Sequence, residues 1–182
     1  MKKILILLFF LSFFNSAQSN QDLIESLQTG GKLVFIRHAL APGGGDPDNF
    51  KLNDCSTQRN LNQVGINQSK KIGSFFIQNK IPIDKVLSSE WCRCKDTAKY
   101  AFNKYKTYNA LNSFFSTKYT KNKKKQIRNL KKYIQEWNGK KNLIFVTHYV
   151  VILEMMDLPT SSGEIVISDK NLNLIGAIET SN

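Results

Sequence analysis

The sequence predicts an α/β fold, a three-layer α/β/α sandwich around a mostly parallel sheet. Two short apolar runs, residues 33–36 and 143–146, are followed closely by His38 and His148, the only two histidines of the 182-residue chain. Runs rich in β-branched and aromatic residues are typical of strands buried on both faces, and segments with helical spacing separate them. Because ligands bind at the carboxyl edge of parallel sheets, we expect both imidazoles in one crevice.

The first half of the domain alternates helices and strands. A short amphipathic helix over 22–28 ends at the glycine pair of positions 30 and 31, and the first strand follows. The chain then turns rich in Gly and Pro over 41–48, within a long loop, and such loops are usually functional. A helix over 62–79 and a short strand over 84–88 come next.

The second half continues the alternation and ends in two strands. Ser88 or Ser89 is expected to cap a helix that runs to about Tyr105. The remaining predicted elements are a helix over 121–137 that stops before Gly139, a strand ending at Thr147, a helix over 150–156 that Pro159 ends, and strands over 164–168 and 172–179. Residues 20–182 are therefore expected to form a single domain.

Residues 1–19 are predicted to be a cleaved signal peptide. Lys2 and Lys3 precede an apolar stretch over 4–14, and small residues follow, so cleavage after Ser19 is the first choice and after Ala17 the second. The apolar stretch is shorter than the roughly 20 residues that span a bilayer. An uncleaved anchor or a buried first helix is the alternative. We expect a periplasmic or secreted protein without a stable membrane span after processing.

The chain is strongly basic. It has 26 Lys and Arg against 14 Asp and Glu, and removal of Lys2 and Lys3 lowers the formal charge from +12 to +10. Such a balance favours anionic partners, such as phosphorylated molecules or an acidic membrane surface. Eight basic residues lie over 118–132. A solvated helix face is the first interpretation of this cluster, and a lipid or nucleic-acid patch is the alternative, although export argues against nucleic acid.

Three cysteines remain in a chain that is predicted to reach an oxidising compartment. One disulfide is expected, joining Cys55 to either Cys92 or Cys94, because the last two are too close in sequence to pair well. A metal site is less expected, since no histidine stands at a usual zinc spacing from these thiols.

Several residues next to the strand ends suit phosphoryl chemistry. Arg37 places a guanidinium fork, which matches phosphate oxygens, directly beside the imidazole of His38. A neutral imidazole nitrogen can attack phosphorus and hold the group covalently. Arg93 follows the serines in the first turn of a helix, where free backbone amides also favour an anion. His148 would bring a second imidazole to the same edge.

Taken in order, these segments resemble the histidine phosphatase superfamily, whose fold is called phosphoglycerate mutase-like. The family's Arg-His-Gly appears as Arg37-His38-Ala39, its Ser-x-x-x-Arg-x-x-x-Thr-Ala as residues 89–98 with Arg93, and its second histidine as His148. Residues 61–68, Leu-Asn-Gln-Val-Gly-Ile-Asn-Gln, are similar to the family's Leu-Thr-x-x-Gly-x-x-Gln helix start. The resemblance spans most of residues 20–182 and suggests a small exported bacterial branch.

The resemblance implies a metal-independent phosphatase that uses no cofactor. His38 would be the nucleophile that becomes phosphorylated, and Arg37, Arg93 and His148 would bind the phosphoryl oxygens. The substrate would be a phosphomonoester or phosphoanhydride of a small molecule, without nucleic acid as a partner. Two alternatives are a phosphatase for an envelope glycan, such as lipopolysaccharide heptose phosphate, and a non-catalytic phosphate-binding module.

Two departures from the family pattern stand out. Ala39 replaces the usual glycine, a change that some small members share. The family also supplies a proton-donating carboxylate in a Leu-x-Glu sequence, but this chain has Leu111-Asn112-Ser113 there and no carboxylate over 97–135. General acid catalysis is typically worth about 10² to 10⁴ in rate. Either another acid serves, the leaving group needs no proton, or activity is weak.

Four carboxylates are candidates for this missing acid. For each of them, an exposed charge or a helix cap is the competing interpretation. Asp54 is preferred because Cys55 and Arg59 beside it suggest an ordered segment, and Arg59 itself either extends the anion pocket or lies on the surface. Trp91 either stacks on the substrate or packs in the core. The four candidates are Asp46, Asp48, Asp54 and Glu90.

Overall fold

A computed structural model describes residues 20–180 of the chain. The predicted signal peptide, residues 1–19, lies outside the described residues. Within residues 20–180, no helix is long and apolar enough to cross a membrane. In chain order the elements are α1 (Asn20–Gln28), β1 (Leu33–Arg37), α2 (Gln63–Gln78), β2 (Ile83–Ser88), α3 (Cys92–Phe102), β3 (Lys106–Thr107), α4 (Thr117–Thr120), α5 (Lys123–Glu136), β4 (Asn142–Thr147), α6 (Tyr149–Met156), β5 (Ile165–Ser168) and β6 (Leu174–Ile178).

The six strands form one sheet in the order β3-β2-β4-β1-β5-β6. The first four are parallel to one another, whereas β5 pairs antiparallel with both β1 and β6. The α/β prediction is confirmed, but the sheet is mixed rather than mostly parallel. The sheet is mixed because β5 enters beside β1 in the opposite direction, and a tight turn at Asp169, which joins only antiparallel strands, then adds β6 without a crossover helix.

Two hydrophobic layers sandwich the sheet. Every residue of β4 is buried, and so are the four apolar residues of β1, which is why both read as uninterrupted apolar runs. Alternate residues of β1 point to opposite faces, so that Val34 and Ile36 pack in the layer of α1, α2 and α3. Leu33 and Phe35 pack in the layer of α5 and α6, where the rings of Phe35 and Phe145 lie 4.9 Å apart.

The register of the central strands positions the two histidines. Arg37 of β1 lies opposite Thr147 of β4, the last residue of each strand. The backbone N–H of His38 continues the ladder and donates to the carbonyl oxygen of Thr147 at 2.9 Å. His38 and His148 therefore leave the sheet side by side at its carboxyl edge.

Two predicted features of α3 are wrong. The helix ends at Phe102 rather than near Tyr105, because Asn103 has a positive φ of 61°, which takes the backbone out of the helical conformation. Its N-cap residue is Trp91, with no side-chain cap, and not Ser88 or Ser89. The hydroxyl of Ser89 is instead bonded to a histidine at the sheet edge, as described below.

Candidate active site

His38 and His148 face each other at the carboxyl edge of the sheet. Their ring centroids are 5.5 Å apart in an edge-to-face arrangement, and each residue is only 3% exposed. Both line a cavity of about 750 Å³, and so do Arg37, Arg59 and Arg93. Four of the predicted site groups and Arg59 therefore meet in one place.

The ring of His38 is held in one tautomer. Its Nδ1 lies 2.8 Å from the carbonyl oxygen of Ala39, which can only accept, so Nδ1 carries the proton and Nε2 keeps its lone pair. Burial, and then the positive charge of Arg93, lowers the pKa of His38 well below its usual range. His38 is thus a neutral imidazole whose Nε2 is unprotonated, which is the form that attacks phosphorus.

The backbone after His38 is fixed by residues of the family-like segments. The N–H of Ala39 donates to Thr97 Oγ1 at 3.0 Å, and the N–H of Leu40 donates to Gln68 Oε1 at 3.0 Å. Gly65 of α2 lies so close that an added Cβ would stand 2.1 Å from the carbonyl oxygen of Leu40. The Gly, Gln and Thr of those segments therefore have a shared physical role, which is to hold the turn that follows His38.

Arg93 connects His38 to the glycine-rich loop. Its Nε donates to His38 Nε2 at 3.2 Å, and its two terminal nitrogens donate to the carboxylate of Asp46 at 2.6 and 3.2 Å. The guanidinium is almost fully buried, which strengthens these charge-assisted bonds. The fork of Arg93 thus holds an oxyanion beside His38.

Asp46 is the carboxylate that the structure brings into the site. Besides Arg93, it accepts hydrogen bonds from Trp91 Nε1 at 3.0 Å and from the backbone N–H of Arg59 at 3.2 Å. Burial opposes its ionisation, but the hydrogen bonds and charge of Arg93, with the indole of Trp91, outweigh this and lower its pKa. Asp46 is therefore ionised at neutral pH in this arrangement.

The other candidate acids are placed differently. Asp54 is half-buried and caps a short 3-10 helix over Cys55–Thr57, where it accepts from the N–H and hydroxyl of Ser56. It does not line the cavity, so the structure does not bring it to the site. Asp48 lies on the cavity wall, and Glu90 accepts a bond from the amide of Asn112 at 2.6 Å.

The two remaining arginines have distinct contacts. Arg37 places its guanidinium over the Tyr149 ring at 5.5 Å and donates to the Thr160 carbonyl oxygen, while its buried Nε has no hydrogen-bond partner. Arg59 donates to the carbonyl oxygens of Ala41 and Gly45, at 2.9 Å for the latter. Burial lowers the pKa of both guanidinium groups. Arg59 therefore shapes the glycine-rich loop as well as lining the cavity.

A chain of side chains that the sequence reasoning missed positions His148. Ser89 Oγ lies 2.8 Å from His148 Nε2 and donates to Asn112 Oδ1 at 3.1 Å, and Asn112 is in turn bonded to Glu90. Burial, and then the charge of Arg93, lowers the pKa of His148 well below its usual range. Asn112 is the middle residue of Leu111-Asn112-Ser113, which corresponds to the family's Leu-x-Glu. Its polar side chain at that position was the only sign in the sequence that it has a role in the site.

The cysteines divide between a cross-link and a buried thiol. Of the two pairings left open, the structure joins Cys55 to Cys92, which precedes Arg93 in the first turn of α3. This bond ties the long loop after His38 to the helix that supplies the guanidinium. Cys94 is free and buried with Sγ 3.5 Å from His148 Nε2, and burial raises the pKa of its thiol to about 12.

Aromatic side chains form the outer wall of the cavity. Trp91 is 3% exposed and packs between Phe50, at 5.1 Å, and His148, at 5.4 Å between ring centroids. Trp91 is therefore a packed aromatic that also donates to Asp46. Phe115 and Tyr119 lie nearer the surface and line the same cavity.

Comparison with known proteins identifies the fold class. No family model and no curated protein sequence matches the chain. The structure is similar to that of the protein histidine phosphatase SixA complexed with tungstate, with 15% identity and a TM-score of 0.56 over 82% of this chain and 97% of that one. It is also similar to a phosphoglycerate mutase from Thermus thermophilus, with 13% identity and a TM-score of 0.58 over 82% and 99%. The chain has the fold of the histidine phosphatase superfamily.

Proposed function

We propose that the protein is a phosphatase that cleaves a phosphomonoester or phosphoanhydride through a phosphohistidine on His38. The observation that carries this proposal is the pairing of a neutral His38, with its lone pair on Nε2, with the buried guanidinium of Arg93. A nucleophile and an oxyanion-binding fork stand together, which is what an in-line attack on a phosphoryl group needs. SixA, which has the same fold, is described as a protein histidine phosphatase and binds tungstate.

The proposed reaction has two steps. In the first, Nε2 of His38 forms a bond to phosphorus while the bond from phosphorus to the leaving oxygen breaks, and that oxygen takes a proton. In the second, a water oxygen attacks phosphorus, the N–P bond breaks with its electron pair returning to Nε2, the attacking water passes a proton to the solvent, and inorganic phosphate leaves. Arg37 and Arg93 bind the phosphoryl oxygens and stabilise the charge of both transition states, and His148 joins them when its Nε2 exchanges Ser89 Oγ for a phosphoryl oxygen.

Asp46 is the carboxylate that best fits the role of proton donor. A phosphoryl group that binds Arg93 competes with Asp46 for the same nitrogens. The displaced carboxylate would lose its cation and face a dianion, and both changes raise its pKa. It could then carry a proton to the leaving oxygen. Asp46 replaces Asp54 as our candidate because Asp54 is a cap on the exterior.

A phosphorylated histidine of a protein is a second candidate substrate. The carboxylate expected at the Leu-x-Glu position is Ser113 here, which suits a leaving group that brings its own proton. The imidazole of a phosphohistidine can be protonated before the N–P bond breaks, so it leaves as a neutral ring. The fold shared with SixA supports this candidate.

We also propose that the protein acts in the periplasm or outside the cell. The disulfide between Cys55 and Cys92 supports this location, since such bonds persist in oxidising compartments. An exported enzyme would meet small phosphorylated molecules and envelope glycans, and lipopolysaccharide heptose phosphate remains an alternative substrate.

Turnover on a graded panel of substrates tests the function. We expect the purified protein to hydrolyse p-nitrophenyl phosphate, and His38→Ala to lose at least about 10⁴-fold in kcat. The melting temperature and tungstate binding of His38→Ala report whether the pocket is intact. If the wild type binds tungstate but hydrolyses no member of the panel, the protein is a non-catalytic phosphate-binding module. The panel adds an alkyl phosphate, a phosphohistidine protein, a nucleotide and heptose phosphate.

A further inference from the structure

The positive charge of the protein is concentrated in one segment. Residues 118–136 contain eight basic residues and a single acidic one, Glu136, so they carry +7 of the net +10 on residues 20–180. The segment includes α5 and lies on the α5–α6 side of the sheet. The rest of the described chain is nearly balanced.

Most of these cations have no carboxylate partner. Lys123 pairs with Glu154 at 2.6 Å, and Lys132 lies 3.8 Å from Glu136. The other six side chains are exposed and form no ion pair within residues 20–180. Cations spaced three or four apart on a helix repel one another, so this density destabilises α5 unless an anionic partner is present. The six are Lys118, Lys121, Lys124, Lys125, Arg128 and Lys131.

The cation-rich segment adjoins the mouth of the active-site cavity. Lys118 lines the cavity, and so does Phe115, whose side chain is 71% exposed. Lys123 lies 5.9 Å from the ring of Phe114, which links α5 to the same loop. An exposed aromatic side chain beside a row of cations is typical of surfaces that lie in the headgroup region of a bilayer.

We propose that Phe115, Lys118 and the exposed cations of α5, together called the basic face, dock the protein on an anionic lipid bilayer. Polybasic surfaces bind such bilayers because the negative surface potential of the lipid attracts their cations. The ring of Phe115, at one end of the basic face, would insert among the lipid headgroups. A bilayer is favoured over nucleic acid because the exposed Phe115 adjoins the cations. In addition, a flat bilayer does not require a protein element that projects far enough to enter a nucleic-acid groove. Docking would turn the cavity mouth toward phosphorylated headgroups.

Binding to vesicles tests the basic face. We expect co-sedimentation with phosphatidylglycerol-containing vesicles, none with phosphatidylcholine alone, and release by about 0.5 M NaCl. The triple variant Lys124→Gln, Lys125→Gln, Lys131→Gln should bind about 100-fold more weakly. The control, Lys70→Gln, Lys80→Gln, Lys104→Gln, makes the same charge change at exposed positions on the α2–α3 side and should bind like the wild type.

The outcomes that overturn this proposal are specific. If both triple variants bind the vesicles equally weakly, binding depends on net charge and not on the basic face. If both variants bind as tightly as the wild type, the protein contacts the bilayer through another surface. All the proteins compared have the same N-terminal residues, so any binding of those residues to the vesicles is the same in each measurement. Tighter binding to a DNA duplex of about 20 base pairs than to the vesicles, at equal ionic strength, would assign the basic face to nucleic acid instead.

A fluorescent reporter tests the orientation. In a Phe115→Trp variant the new indole should shift its emission to the blue when anionic vesicles are added, whereas Trp91 and Trp137, which are 3% and 5% exposed, should not respond. Vesicle binding without that shift would show that the cavity mouth faces away from the bilayer. Docking is measured without turnover and can be repeated on His38→Ala, so its failure is distinguishable from failure of the proposed phosphatase activity.

Discussion

The two walls of the cavity differ in what holds them. The strand-end wall, with His38 and His148, is fixed by the register of β1 and β4 and by backbone hydrogen bonds. The loop wall, with Asp46 and Arg59, has no regular secondary structure and is held by side chains that reach across from α3 and by a disulfide. The first wall supplies the proposed nucleophile, and the second supplies the carboxylate that, in our proposal, the substrate displaces from Arg93.

Because the two walls are held differently, we expect them to have different roles in the proposed reaction. Parts held by a sheet are positioned to fractions of an ångström, which suits the attack of Nε2 on phosphorus. Parts held by a few side chains can move when those contacts are exchanged, which suits a proton donor that first occupies the anion site. Four predictions test this division.

Of these four predictions, the largest effect is expected at Asp46. Asp46→Asn should lower kcat on an alkyl phosphate by about 10² to 10⁴, because the leaving alkoxide then lacks a proton. Turnover of p-nitrophenyl phosphate should change far less, and tungstate should bind more tightly, since no carboxylate competes for Arg93. Asp54→Asn is the matched control and should leave both substrates unaffected. Equal losses on the two substrates would remove Asp46 from the acid role.

Arg93 joins the two walls, and its replacement should impair both. Arg93→Lys keeps the charge but loses the fork, so we expect kcat/KM to fall by about 10² to 10³ for every phosphate ester. Tungstate affinity should fall in parallel, as measured by calorimetry. A loss confined to alkyl esters would mean that Arg93 acts only through Asp46.

The disulfide contributes to the loop wall alone. Cys55→Ser with Cys92→Ser should lower the free energy of unfolding by about 2–4 kcal/mol, because a loop spanning a sequence separation of 37 residues is no longer closed. Denaturant titration measures the loss. The single variant Cys94→Ala controls for removal of a buried thiol. A stability unchanged by the double variant would contradict a cross-link in the purified protein.

The smallest effect is expected in the pH profile. Since the folded pKa of His38 is lowered well below 6.5 by burial and Arg93, its neutral form persists as pH falls through that value. The acid limb of kcat/KM should therefore lie well below pH 6.5, with little change between about pH 6 and 7. If kcat/KM of the wild type instead falls to half near pH 6.5, His38 titrates as an ordinary histidine and the expectation is wrong.

The strand-end wall was predictable from the sequence, because its signals are local. An apolar run of strand length followed by a histidine indicates both an element and the edge where it ends, and parallel pairing then brings His38 to His148. Arg93 followed from the serine-to-helix segment in the same way. The antiparallel pairing of β5 with β1 was missed, since the spacing of apolar residues does not indicate in which direction a strand enters the sheet.

The loop wall was not predictable, because its contacts join distant positions. Asp46 and Asp54 are equally polar loop residues in the sequence, and nothing near them tells which meets Arg93. The structure distinguishes them through Trp91 and Arg93, more than forty positions away. Asn112 and Ser89 were missed for the same reason, as their role depends on reaching His148 across the sheet edge.

Trapping of the covalent intermediate tests the central claim most directly. The purified protein is mixed with a radiolabelled phosphate donor, quenched, and mapped by peptide mass spectrometry. We predict an acid-labile, base-stable phosphoryl group on His38. The matched His38→Ala variant should carry no label. Equal labelling of His38→Ala and wild type, or a label on another residue, would contradict the account.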